Sequence, residues 1–117
     1  MEVLYQKSCT EYLPGEPAIN NDTANELMLN IPNWSNERHK GIETLVREFY
    51  FLRFNDAFNF TSKIFDLAEK ENHHPKIILE WGKVTVYWWS HKVNGLHIND
   101  FIMAAKTDMI ITSFEKN

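Results

Sequence analysis

The sequence predicts an α+β domain: a four-stranded antiparallel sheet with helices packed on one face, in the order α-β-β-α-β-β-α. Two observations carry this. Ile42 to Phe51 and Lys83 to Ser90, rich in β-branched and aromatic residues, are each joined to the segment before them through a glycine turn, at Gly41 and at Trp81-Gly82, the mark of two hairpins. Between and after them, apolar residues recur at three- and four-residue spacing, the mark of helices that bury one stripe. Hairpins interleaved with helices make an antiparallel sheet with helices on one side, because each element must bury its apolar face against another layer.

Residues 1–20 hold Pro14-Gly15-Glu16-Pro17 and show no sustained periodicity, so they are expected as an extended arm. From Asn21 to Asn30, Ala24, Leu27 and Met28 suit a short helix that stops before Pro32. Trp34 to Lys40 is polar, and after Gly41 the run Ile42 to Phe51 favours a strand. In that strand Ile42, Val46 and Tyr50 point one way, Leu45, Phe49 and Phe51 the other.

Asn55 to Asn72 is the clearest helix, with Ala57, Phe58, Thr61, Ile64, Phe65 and Ala68 as its inward stripe and Asn55 as its N-cap. His73-His74-Pro75 ends it, since a proline disfavours helical backbone in the residue before it. Strands Lys76 to Glu80 and Lys83 to Ser90 follow. On the second, Val84, Val86 and Trp88 share one face and Thr85, Tyr87 and Trp89 the other, so large aromatics stand on both sides and the uncovered face predicts a homodimer contact or an extended sheet. Gly95 breaks the chain, and His97 to about Phe114 reads as a final helix with Phe101, Ile102, Ala105, Met109 and Ile110 inward.

The 117 residues fit one domain over the whole chain, and 44% hydrophobic content supplies an ordinary core. A formal charge of -4 argues against direct nucleic-acid binding, which rests on clustered Lys and Arg. Cys9 stands alone, so neither an intramolecular disulfide nor a Cys-rich zinc site can be built, which fits a reducing, cytoplasmic setting. The opening Met-Glu-Val-Leu-Tyr lacks a basic start and apolar run, and no stretch approaches the ~20 apolar residues that span a bilayer. No membrane association is expected.

Three of the five histidines fall at element ends, where a rigid scaffold commonly presents functional groups: His73, His74 and His91. Glu69 lies four residues before His73, so on a continuous helix carboxylate and imidazole share a face. That neighbour and the helix C-terminal dipole both favour imidazolium, keeping a general acid available. The bland alternative for each histidine is a side chain capping a helix C-terminus. A zinc site from these imidazoles and Asp100 is disfavoured, because adjacent side chains diverge and neither His-Glu-x-x-His nor paired cysteines occur. Asp100 could equally serve only the dipole of the final helix, Trp34 could be hairpin packing, and Trp88 and Trp89 read as packing and interface residues.

Ala68-Glu69-Lys70-Glu71-Asn72-His73-His74-Pro75, then Ser90-His91, Gly95-Leu96 and Asp100, resemble in order and spacing the pterin-4a-carbinolamine dehydratase family. The resemblance runs from Cys9 and the Pro-Gly-Glu-Pro arm through Ile31-Pro32-Asn33-Trp34 to Ala104-Ala105-Lys106. Two positions depart from it: Ser90 stands where the family usually has Thr, which keeps a hydroxyl, and His97 where it has Ser or Thr. The second removes the usual capping box with Asp100, so poor capping of the final helix or an opened pocket rim is expected.

The resemblance implies a lyase that removes water from 4a-hydroxytetrahydropterin to give quinonoid dihydropterin, in cofactor recycling after aromatic amino acid hydroxylation. It implies no metal or organic cofactor, and a homodimer or homotetramer. His73 and His91 are expected to exchange protons at the reacting centre, His74 to position the pterin, and Glu69 to orient His73. Trp34 is expected to cover the ring, Asp100 to organise the His91 side, and Pro75 and Ser90 to complete the substrate site. The competing implication is a protein-binding module, since animal members of the family also stabilise the dimer of a homeodomain transcription factor.

Overall fold

The computed structural model describes residues 3–115. Its elements are α1 (Asn21–Met28), β1 (Ser35–His39), β2 (Ile42–Tyr50), α2 (Phe54–Glu71), β3 (Lys76–Glu80), β4 (Lys83–Trp88) and α3 (Ile98–Glu115). Single turns of 3-10 helix add Leu4–Gln6 and His91–Val93. The order is the expected one; Met1 and Glu2 of the expected arm lie outside the described residues.

The sheet is antiparallel throughout, ordered β1-β2-β4-β3. The first hairpin pairs His39 with Ile42 across Lys40 and Gly41, whose φ values of 52° and 81° are the left-handed pair that a two-residue turn needs to match strand twist. Gly41 adopts this at no steric cost, whereas Lys40 gives up roughly 1–2 kcal/mol to do so.

Alternation sends Leu45 and Phe49 of β2 and Val84, Val86 and Trp88 of β4 to one face, where all are buried. On that face α2 and α3 pack against the sheet and each other. α2 starts one residue earlier than expected: Arg53, not Asn55, is the N-cap, without a side-chain cap bond. Its buried stripe is also rotated. Ala57, Phe60, Ile64 and Ala68 face the core, while Phe58 and Phe65 are exposed. Phe60 packs between Phe49, Phe51 and Phe114, where the sheet and both helices meet.

In α3 the five consecutive residues Phe101 to Ala105 are all buried, because the sheet, α2 and the Leu4–Gln6 turn enclose that half of the helix. Further along, Met109 is half-exposed against expectation and Ile111 turns inward. No helix among the described residues is long and apolar enough to cross a membrane.

Candidate active site

The end of α2 sets the site. Asn72 takes the left-handed conformation (φ 53°), and both its N–H and that of His73 bond to the Ala68 carbonyl, which closes the helix and swings the chain inward. His73 is thereby buried, its ring stacked on Trp88 at 5.6 Å between centroids and 15° between planes. Its Nε2 lies 2.7 Å from Asp100 Oδ1.

His74 points the other way and pairs through Nε2 with Glu69 Oε2 at 2.7 Å, both side chains being more than half exposed. The expected Glu69–His73 pair is therefore replaced by Glu69–His74. The four-residue spacing assumed a helix continuing through His73, whereas it stops at Glu71 and the left-handed Asn72 exchanges the directions of the two imidazoles.

Asp100 is fully buried at the start of α3 and accepts three hydrogen bonds, from His73 through Oδ1 and from Ser90 Oγ (2.8 Å) and His97 N–H (2.9 Å) through Oδ2. Tyr12 Oη extends the chain by donating to Ser90 Oγ at 2.9 Å. A buried carboxylate is tolerable only when donors replace its water, and these do. With Asp100 accepting, the proton of His73 resides on Nε2, leaving Nδ1 as the nitrogen free for chemistry. Ser90 is held in register by reciprocal backbone bonds with Gly95, which pinch off the loop carrying His91.

His97 caps α3 after all. Its Nδ1 accepts the Asn99 N–H at 3.1 Å while Asp100 returns the bond to the His97 N–H, so an imidazole substitutes for the hydroxyl of a capping box. The ring is buried, with Nε2 3.1 Å from Glu16 Oε2. The Leu13 N–H, helped by His97, holds the Glu16 carboxyl below its usual range.

The arm makes contacts that the sequence did not signal. Cys9 N–H donates to Glu71 (2.8 Å), and Thr10 and Asn99 exchange two hydrogen bonds of 2.8 Å. Tyr12 lies against the His97 ring at 4.5 Å, and the Lys92 ammonium sits 5.4 Å from the Tyr12 ring centre. The arm thus roofs a cleft of about 480 Å³ lined by His73, Glu71 and Lys92. Burial, reinforced by Glu71, pushes the Cys9 thiol up to about 12.

His91 opens the second 3-10 turn, is exposed, and meets the Trp89 ring edge-on at 5.0 Å. It lines a different cavity, of about 360 Å³, on the helix-free face of the sheet. His73 and His91 thus flank the end of β4 from its two sides. Pro75 is half-buried between His74 and β3.

Trp34 is not in this cluster. It is buried, edge-on to Phe49, with its indole N–H donating to Asp108 at 2.8 Å. Asp108 lies eight residues beyond Asp100 on α3, roughly 12 Å along the axis. Arg47 joins the same carboxylate, whose burial nevertheless raises its pKa. Among the described residues no three His, Cys, Asp or Glu side chains are grouped to hold a metal ion.

Comparison with known proteins agrees on one family. Residues 17–110 match the family described as pterin 4 alpha carbinolamine dehydratase. The chain is 46% identical over 110 residues to a Saccharophagus degradans protein named "Putative pterin-4-alpha-carbinolamine dehydratase", covering 94% of this chain and 97% of that one. A Marinobacter nauticus protein of the same name is 48% identical over 108 residues, covering 92% and 97%. Among solved structures, a transcriptional coactivator/pterin dehydratase from Brucella melitensis superposes with a TM-score of 0.72 at 30% identity, over 80% of this chain and 97% of that one.

Proposed function

This chain belongs to the pterin 4 alpha carbinolamine dehydratase family, and from that membership we propose that it dehydrates a 4a-hydroxytetrahydropterin to the quinonoid dihydropterin, in cytoplasmic recycling of the pterin cofactor. The observation that carries the reading is the Asp100 carboxylate, which binds His73 on one oxygen and Ser90 on the other. His73 is bound to this anchor directly, while His74 and His91 are the chain neighbours of His73 and Ser90, so one carboxylate fixes the backbone from which all three side chains leave.

In the proposed reaction an imidazolium gives its proton to the hydroxyl at C4a, the C–O bond breaks and water leaves. The ring-nitrogen proton passes to a neutral imidazole, and the electron pair it leaves forms the C=N bond of the quinonoid product. His73 and His91 are the proton-exchanging pair, acting on a pterin seated across the end of β4 that they flank, and His74, held by Glu69, positions it. Asp100 is a positioning residue, and Ser90 and Pro75 shape the site around it. The exposed Phe58 and Phe65 on α2 are apolar surface consistent with a working homodimer or homotetramer.

The test is a stopped-flow assay with enzymatically generated 4a-hydroxytetrahydropterin. The protein is expected to accelerate decay of its absorbance, and His73→Ala combined with His91→Ala to remove a factor of roughly 10²–10⁴. Decay at the uncatalysed rate with the intact protein would overturn the reading; a wild-type rate in the double variant would overturn the roles of the two histidines.

A further inference from the structure

The cavity that His91 lines has a chemistry the dehydration does not require. Its floor is Thr44 and Tyr87, and its rim carries Lys40 and Lys76 together with His39 and His91. No carboxylate lines it, although the chain as a whole is acidic, at -4. Glu37, on the same strand as His39, has its oxygens engaged by Ser35 Oγ (2.6 Å) and His39 Nε2 (3.0 Å). Lys76 spans the Tyr87 ring with its ammonium 4.8 Å from the centroid, and His39 closes on that ring edge-on at 5.3 Å. The rim is thus cationic above an aromatic wall.

A second observation marks the same place. Among the described residues that are not themselves exposed, the indole N–H of Trp89 is the buried side-chain polar group without a hydrogen-bond partner, and Trp89 also lines this cavity. A buried donor left unpaired costs free energy, so the wall of this cavity is where the fold leaves a polar requirement unmet.

From this juxtaposition of Lys40, Lys76, His39, His91 and Trp89 around one aromatic cavity, we propose that the cavity receives an anionic substituent, of the phosphate-ester class, on the side chain of the pterin substrate. The proposal rests on the dehydratase reading for the pterin and on the cavity itself for the anion. Since His91 belongs to both, a pterin presented to His91 would direct its side chain along the sheet face toward the two lysines. Phosphate oxygens accept charge-assisted hydrogen bonds from ammonium and imidazolium groups, and the gain is greatest where a concave wall limits water. The preference for an anionic substrate would therefore reside in the β1–β2 turn and the first residue of β3, not in the Asp100 cluster.

The experiment compares two probes on the full chain at low ionic strength: a dihydropterin with a neutral polyol side chain, and the same molecule phosphorylated on its terminal hydroxyl. Titration calorimetry should show the phosphorylated probe binding about tenfold tighter or more. Lys40→Asn with Lys76→Gln should bring the ratio of the two affinities close to one. Lys63→Gln on α2, which removes a comparable charge elsewhere, should leave it unchanged. Inorganic pyrophosphate supplies an arm independent of the pterin: it should shift the Trp89 indole N–H resonance in the wild type and not in the double-lysine variant. Equal affinities for the two probes in the wild type, or a ratio that survives loss of both lysines, would overturn the proposal. A pyrophosphate shift with no binding of either pterin would leave the anion site standing and sink the dehydratase reading, and no shift from either phosphorylated probe would sink the site.

Discussion

Asp100 offers the sharpest test of how the site is held. Replacing it with Ala leaves His73 Nε2–H, Ser90 Oγ–H and the His97 N–H without their acceptor in a fully buried position. Each abandoned donor costs about 1–3 kcal/mol, but some are re-paired by water entering the space, so a net loss of about 3–5 kcal/mol is expected. Against a domain stability of roughly 5–15 kcal/mol this is a large fraction. Asp100→Asn separates stability from chemistry. Its single amide oxygen can still accept from Ser90 and His97, so the amide NH2 faces His73. That NH2 needs an acceptor, which obliges His73 to release the Nε2 proton and carry it on Nδ1. The Asn variant should lose only about 1–2 kcal/mol, because a charge-assisted acceptor has become a neutral one, yet dehydrate far more slowly. Urea unfolding followed by tryptophan fluorescence measures the first effect, since Trp88 stacks on His73. Nitrogen-15 NMR of the imidazoles reads the tautomer, and stopped-flow decay reads the rate. A loss below about 1 kcal/mol in the Ala variant, or an Asn variant keeping its proton on Nε2, would refute this account of Asp100.

Two further outcomes follow from the arm and the α3 cap. His97→Ala should lose about 1–2 kcal/mol, whereas His97→Ser should recover most of it by restoring a hydroxyl cap, and both should expose residues before Glu16 to limited proteolysis; equal stabilities for Ala and Ser would show that the ring does not act as a cap. Cys9 should react with a thiol reagent at pH 8 at least tenfold more slowly in the folded than in the urea-unfolded protein, because its thiolate fraction falls as its pKa rises from 9.0 to about 12. The unfolded thiol releases its proton near pH 9.0 while the folded one retains it, so this group's contribution to stability is intact below pH 9 and declines between pH 9 and about 12. A folded-state rate equal to the unfolded one would contradict the burial of Cys9.

The fold was legible because alternation and glycine-centred turns are local signals, and the two hairpins needed nothing more. The rotated stripe of α2 was not. That helix carries apolar residues in two rows, one through Ala57, Phe60, Ile64 and Ala68, the other through Phe54, Phe58 and Phe65, and only the sheet and α3 decide which row is inside. The Glu69–His73 expectation failed for a subtler reason. Asn72 is among the few residue types that readily turn left-handed, so a sign of the helix end stood one residue before the histidine, but spacing alone could not weigh it. Asp100 was recognisable as an acid in a first helical turn, yet its other partners come from β3's approach and the end of β4, through contacts between residues distant in sequence. His97 as a cap carried no recognisable signal, since imidazole is not among the usual N-cap side chains.

The strap formed by Cys9 to Glu16 has a consequence for the order in which the molecule is made. Its partners Glu71, Ser90, His97 and Asn99 lie 62 to 90 residues further along the chain. During synthesis this segment finds one partner, Glu71, once α2 has formed and the full set only when α3 has left the ribosome, and contacts of such long sequence separation are slow to form. The roof over His73 is therefore expected to be the last part of the site to assemble. A bulky fusion placed at the N-terminus would act there, on the closing step of maturation, while leaving the hairpins and helices free to form beneath it.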